Sequence, residues 1–208
     1  MKENFGLYLI LTDPVSGYEA AAKAAVECGV RYLQLRMKNT PREQVAATAL
    51  ALRDITKNTQ TRFIVNDDLT VAIESDADGI HLGQADLSVE EARSTWSVPG
   101  KIFGLSTHSL EQALLAAEAA PDYIGVGPVH PTPTKADADP ALGAAEVGRI
   151  IGQSPLTAVA IGGINAQNLP GLLEAGAQNY CVVSAVNAAT DPAAAIRALQ
   201  KIWERHVF

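Results

Sequence analysis

The chain has 208 residues, 48% hydrophobic and 19% charged, with only 5% aromatic, which suits one domain with an aliphatic core. Its 23 acidic and 16 basic residues leave a net charge of −7 with no basic run. That balance excludes nucleic-acid binding as the natural reading, because neutralising a phosphate backbone needs clustered Lys and Arg. Any anionic ligand must be held locally, by a few cations, backbone N–H groups or a metal.

In chain order, short apolar runs alternate with helical patterns rich in Ala, Leu and Glu. Leu7–Leu11 reads as the first strand and Gly17–Cys28 as the first helix, with Gly29 placed to supply a left-handed cap. Tyr32–Leu35 follows, then a helix over Arg42–Thr56, with Pro41 suited to its first turn and Thr40 to its cap. Strand-like runs recur at Phe63–Val65, Gly79–Leu82, Ile102–Leu105, Tyr123–Val126, Thr157–Ile161 and Tyr180–Val183. Further helical patterns lie at Leu110–Ala119, Asn168–Glu174 and Pro192–Arg205, and Gly176 punctuates the end of the second of these. Eight such units predict an α/β fold, a single-domain (β/α)8 TIM barrel over 1–208. A doubly wound open sheet is the competing architecture. The segment Pro128–Leu142 breaks the rhythm, being long, polar and proline-rich, and is expected to form a mobile, functional loop. Cys28 and Cys181 lie far apart in apolar contexts and are expected to be buried free thiols. No apolar stretch reaches the roughly 20 residues of a spanning helix. The N-terminus lacks a signal-peptide pattern, so no membrane association and a cytoplasmic location are expected.

Barrel chemistry belongs at the C-terminal ends of the strands. The second strand ends in QLRMK, where alternation puts Gln34, Arg36 and Lys38 on one side and Leu35 and Met37 on the other. Two cations and an amide so arranged form an anion clamp. The third and fourth strands end in Asn66-Asp67-Asp68 and HLGQAD, which brings the Asp67 and Asp86 carboxylates to one rim. A diphosphate there would be repelled unless a cation intervened, and Mg2+ accepts one or two carboxylates plus phosphate oxygens. The alternative is that the aspartates only favour a helix N-terminus, the reading preferred for Asp68. Ser106 is placed to donate to an anion, Ser109 to cap a helix, and His108 reads as a loop residue. Thr132, Thr134 and Lys135 offer two hydroxyls and an ammonium in the long loop, able to fold over a diphosphate. Gly162-Gly163 after the seventh strand and Val183-Ser184 after the eighth mark the recurrent phosphate site of many barrels. No Ser-His-Asp or Cys-His set argues for covalent catalysis. The role of His130 stays open between packing and catalysis.

QLRMK, NDD, DGIHLGQAD, GLSTHS, YIGVGPVHPTPTK, AIGGI and VVSAV, in this order and spacing, resemble the thiamine phosphate synthase family across essentially the whole chain. The resemblance implies a transferase of thiamine biosynthesis, joining a pyrimidine diphosphate to a thiazole phosphate, with or without an added carboxylate, by a dissociative, Mg2+-assisted displacement. It implies that Gln34, Arg36, Lys38, Asn66, Ser106 and Lys135 hold the pyrimidine diphosphate, with Arg36, Lys38, Ser106 and Lys135 acting in catalysis. Asp67 and Asp86 would bind Mg2+, and Thr132, Thr134, Gly163, Val183 and Ser184 would hold the thiazole phosphate. Three departures stand out: Met37 where the family commonly has Glu, Asp68 where it commonly has Arg, and ADADPALG after Lys135 in place of a Pro-Gly-Arg pattern. Two alternatives remain, a thiazole tautomerase relative using a histidine after the sixth strand, and a non-catalytic protein that kept the phosphate pockets.

Overall fold

The structure is a computed structural model that describes residues 2–132 and 139–207. Eight parallel strands close into a barrel in sequence order. They are β1 (Leu7–Leu11), β2 (Tyr32–Leu35), β3 (Arg62–Asn66), β4 (Gly79–Leu82), β5 (Ile102–Thr107), β6 (Tyr123–Val126), β7 (Ala158–Ile161) and β8 (Tyr180–Val182). Closure rules out the open-sheet alternative. Between them run α1 (Tyr18–Glu27), α2 (Arg42–Thr56), α3 (Leu69–Glu74), α4 (Val89–Thr95), α5 (Leu110–Ala119), α6 (Ala144–Gln153) and α7 (Leu169–Glu174). A short α8 (Ser184–Asn187) and a long α9 (Pro192–Val207) complete the ring. Among the described residues, no helix is long and apolar enough to cross a membrane.

Strand alternation sorts the core into two shells. Leu7, Leu9 and Leu11 of β1 pack outward against the helices, whereas Tyr8 and Ile10 point into the barrel with Tyr32, Ile64, Tyr123, Val159 and Cys181. Small residues on α1, namely Ala21, Ala22, Ala24 and Ala25, are buried and let that helix lie close to the strands. Two buried asparagines fasten the seam between β1 and β8. Asn179 accepts from the N–H groups of Phe5 (2.7 Å) and Gly6 (3.1 Å), and Asn187 accepts from Thr12 N–H (3.0 Å) while donating to Ile10 C=O (2.7 Å). Each satisfies backbone groups left over where the ring must join.

Helix punctuation follows the sequence in most places. Gly29 and Gly176 have φ of 68° and 99° just past α1 and α7. Ser109 accepts from Gln112 N–H at 3.1 Å and so caps α5. Thr40 does not cap α2: Pro41, with ψ 138°, stands outside the helix, and the Thr40 hydroxyl donates to Lys38 C=O at 3.2 Å. Proline's ring favours extended backbone in the residue before it, which turns Thr40 away from the helix. Cys181 is buried inside the barrel, but Cys28 is only part-buried, because it ends α1 at the surface. Met37 packs against the outer core, as alternation predicts.

Asp68 caps α3 by accepting from Val71 N–H at 3.0 Å and takes a two-point grip from Arg42 of α2 at 2.7 and 2.9 Å. Partial burial opposes ionisation, yet the Arg42 guanidinium and the backbone donor hold this carboxyl below its ordinary range. Asp68→Ala is expected to cost about 1 kcal/mol, the usual worth of a lost cap. Its melting temperature should fall by about 2–4 °C. An unchanged melting curve would show that the cap is idle.

Candidate active site

The C-terminal ends of the strands open into a cavity of about 540 Å3. From β2 it receives Gln34, Arg36 and Lys38, and from the β3 and β4 ends Asn66, Asp67 and Asp86. Ser106 and His108 line it from β5, Thr132 from the loop after β6, and Ile161, Gly162 and Val183 from the far wall. Nine of the site residues expected from sequence therefore share one chamber. Gly163 and Ser184 adjoin lining residues in the chain but do not line it themselves. Thr134 and Lys135 lie outside the described residues, as does the middle of the expected mobile loop. The ends of that loop are pinned, with Leu142 N–H donating to Pro128 C=O (2.8 Å) and Gly143 N–H to Val129 C=O (3.0 Å).

The carboxylate pair is the electrostatic centre. Asp67 sits in the left-handed region at φ 61°, where the chain turns from β3 towards α3. Its carboxyl lies within hydrogen-bonding reach of Asp86 and contacts the Lys38 ammonium. Asp86 also accepts from Gly83 N–H at 2.7 Å, which fixes the turn carrying it. Burial raises the Asp67 carboxyl above its ordinary value; Lys38 opposes the shift and Asp86 reinforces it. One lysine thus leaves the pair under-neutralised.

A carboxyl raised on folding destabilises the fold wherever it is ionised, and the penalty fades as pH falls and the group takes up its proton. Asp67→Asn is therefore expected to raise the melting temperature at pH 7 in EDTA, by about 2–4 °C for each kcal/mol relieved. Asn tolerates the left-handed backbone. The gain should shrink as the solution is acidified through the carboxylate range; equal melting temperatures at pH 7, or a gain that persists in acid, contradict this account.

On the opposite wall, glycine is required by close approach. A Cβ on Gly162 (φ 105°) would stand 2.5 Å from the Pro128 Cβ, and one on Gly163 (φ 63°) 2.8 Å from both the His130 Cβ and Pro131 C=O. The two glycines seat the β7 turn against the start of the loop bearing Thr132. Val129 and His130 extend this seat by donating to Ile161 C=O (2.8 Å) and Gly162 C=O (3.0 Å).

Several wall residues were not expected from the sequence. His81 and Gln84 line the cavity, Gln84 donating to Ser106 C=O at 2.6 Å. His108, read as a loop residue, joins the wall with Gln112 and Asp139. Its Nδ1 lies 2.9 Å from Gly127 C=O and 3.4 Å from the Asp139 carboxylate. The inward phase of β4, with Ile80 and Leu82 outward, was the available signal for His81.

A closed parallel barrel with charged groups converging at the C-terminal rim defines a (β/α)8-barrel enzyme. The family model described as thiamine monophosphate synthase matches residues 7–186. Curated thiamine-phosphate synthases from Methanospirillum hungatei and Shouchella clausii are each 41% identical, covering 92% and 96% of this chain and 94% and 97% of theirs. The solved thiamine phosphate pyrophosphorylase from Pyrococcus furiosus superposes with a TM-score of 0.88 at 33% identity, over 99% of this chain and 98% of that one. The chain belongs to the thiamine monophosphate synthase family.

Proposed function

We propose that this protein is a thiamine phosphate synthase, condensing hydroxymethylpyrimidine diphosphate with a thiazole phosphate, carboxylated or not, to give thiamine phosphate and diphosphate. The observation that carries the reading is the shared chamber: the β2 cations and the Asp67–Asp86 pair face the Gly162 and Val183 wall across one cavity. Two anionic substrates can meet there with their reacting ends together.

Arg36, Lys38 and Asn66 bind the diphosphate, with Ser106 as a hydroxyl donor and Lys135 as a further cation. Thr132, Thr134, Gly163, Val183 and Ser184 take the thiazole phosphate. The carbon–oxygen bond to diphosphate breaks first, and the thiazole nitrogen attacks the resulting pyrimidine methylene cation. Cys181, inside the barrel, does not compete as a nucleophile, since burial pushes its thiol far up and keeps it protonated. Asp67 and Asp86 fit Mg2+: they are two adjoining carboxylates with unmet negative charge, and no third His, Cys, Asp or Glu joins them among the described residues. When bound, the ion neutralises charge gathering on the departing diphosphate. Lys38, which contacts Asp67, stands beside the place such an ion would take and is set to bind the diphosphate there.

The tautomerase alternative needs a histidine in the cavity from the loop after β6, and His130 is not on its wall. Incubation with both substrates and Mg2+, scored for thiamine phosphate by fluorescence after oxidation, tests the proposal. Product formation that stops in EDTA is expected. Substrate binding by calorimetry without product would favour a non-catalytic binder instead.

A further inference from the structure

From the cavity wall at Gln34, a chain of polar side chains dips beneath the floor through Tyr8 and Tyr123, which have no substrate-binding role, and returns to the wall at His81 and Ser106. Gln34 Nε2 donates to the Tyr8 hydroxyl at 2.9 Å, and Tyr8 and Tyr123 share a 2.7 Å hydroxyl contact. Tyr123 Oη lies 3.0 Å from His81 Nδ1, and His81 Nε2 lies 2.9 Å from Ser106 Oγ. Tyr8, Gln34 and Tyr123 are between 1% and 3% exposed, so water does not compete for these bonds.

The register builds the chain. His81, Gly104 and Tyr123 stand level on β4, β5 and β6. A Cβ on Gly104 would lie 2.2 Å from the Tyr123 ring and 2.6 Å from His81 Nδ1. The missing side chain lets histidine and tyrosine meet across the strand between them.

The direction follows from counting protons. Tyr8 accepts from Gln34, so its one O–H goes to Tyr123. Tyr123 then gives its own to His81 Nδ1. A ring nitrogen that accepts carries no proton, so the ring's one N–H is left for Nε2 and Ser106. The Ser106 hydroxyl receives that bond and keeps its own proton for the cavity.

We infer that Tyr8, Tyr123 and His81 form a one-directional hydrogen-bond relay that fixes Ser106 as a donor to the departing diphosphate, making His81 and Tyr123 positioning residues. The catalytic half of this inference rests on the proposed synthase activity; the direction of the relay does not. The opposite amide orientation of Gln34 would reverse every bond, put the proton on Nδ1 and make Ser106 an acceptor.

Steady-state kinetics on Tyr123→Phe, His81→Leu and His81→Gln, with two-bond 1H–15N spectra of the 15N-histidine-labelled full chain, test both halves. We expect the Nε2–H tautomer at His81, assigned by its loss in His81→Gln. Tyr123→Phe and His81→Leu should lower kcat about tenfold with both KM values within about twofold, the size of one lost orienting group. His81→Gln, whose amide N–H reaches the Nε2 position, should recover most of the rate. An Nδ1–H tautomer overturns the relay, as does a kcat within twofold of the parent in Tyr123→Phe. If the parent protein makes no thiamine phosphate, the synthase reading fails, and the spectra still decide the direction.

Discussion

Asp67→Ala is expected to lower kcat about 10³-fold, because it takes away an anchor for several kcal/mol of leaving-group charge stabilisation. Thiazole phosphate should bind with unchanged affinity in calorimetry, since Gly162, Val183 and Thr132 stand on other strands and loops. Alanine at φ 61° also carries a backbone cost of about 1–2 kcal/mol. Asp67→Asn separates the two effects: it keeps the backbone tolerance, gains stability in EDTA and should still lose turnover. Asp86→Asn is expected to match it, and the double variant to lose little more, because residues acting as one unit are not additive. Turnover of Asp67→Ala close to the parent rate would remove the metal assignment and leave Lys38 as the pair's working cation.

Gly163→Ala is expected to raise KM for the thiazole phosphate about 10²-fold, while Mg2+-dependent binding of the pyrimidine diphosphate stays near that of the parent. The new methyl would press on the His130 Cβ and Pro131 C=O at 2.8 Å, and the backbone it meets carries Thr132 into the cavity. A shift of about 1 Å in a positioning group costs roughly this much. The two variants should thus fail on opposite substrates. Equal losses for both substrates in Gly163→Ala would show that the β7 wall supports the whole mouth and is not a separate phosphate seat.

The departures from the family pattern acquire physical meaning in three dimensions. Asp68 puts an anion where the family commonly has the cation of Arg. Its carboxylate is spent on the α3 cap and on the paired guanidinium of Arg42. Met37 turns into the outer core and leaves the clamp formed by its neighbours intact.

Strand order, the two-sided pattern at the end of β2, and the rim positions of Arg36, Lys38, Asp67 and Asp86 were legible in the chain, because a parallel barrel ties side-chain direction to a two-residue period. Four of the eight short apolar runs match their strands end to end, and the other four needed one or two residues added or trimmed. The cap of α2 was misread because Thr40 has two ways to satisfy its hydroxyl, and the proline beside it selects the one outside the helix. His81 carried a readable inward phase, but its partners did not. Tyr8, Gly104 and Tyr123 come from three strands up to 115 residues apart, and only the stagger of the closed sheet sets them level. Alternation along each strand, a local steric rule, lies in the sequence itself. The meeting of Asp67 with Asp86, the seat of Gly163 and the relay under Ser106 depend on register between strands, which the closed barrel fixes as a whole.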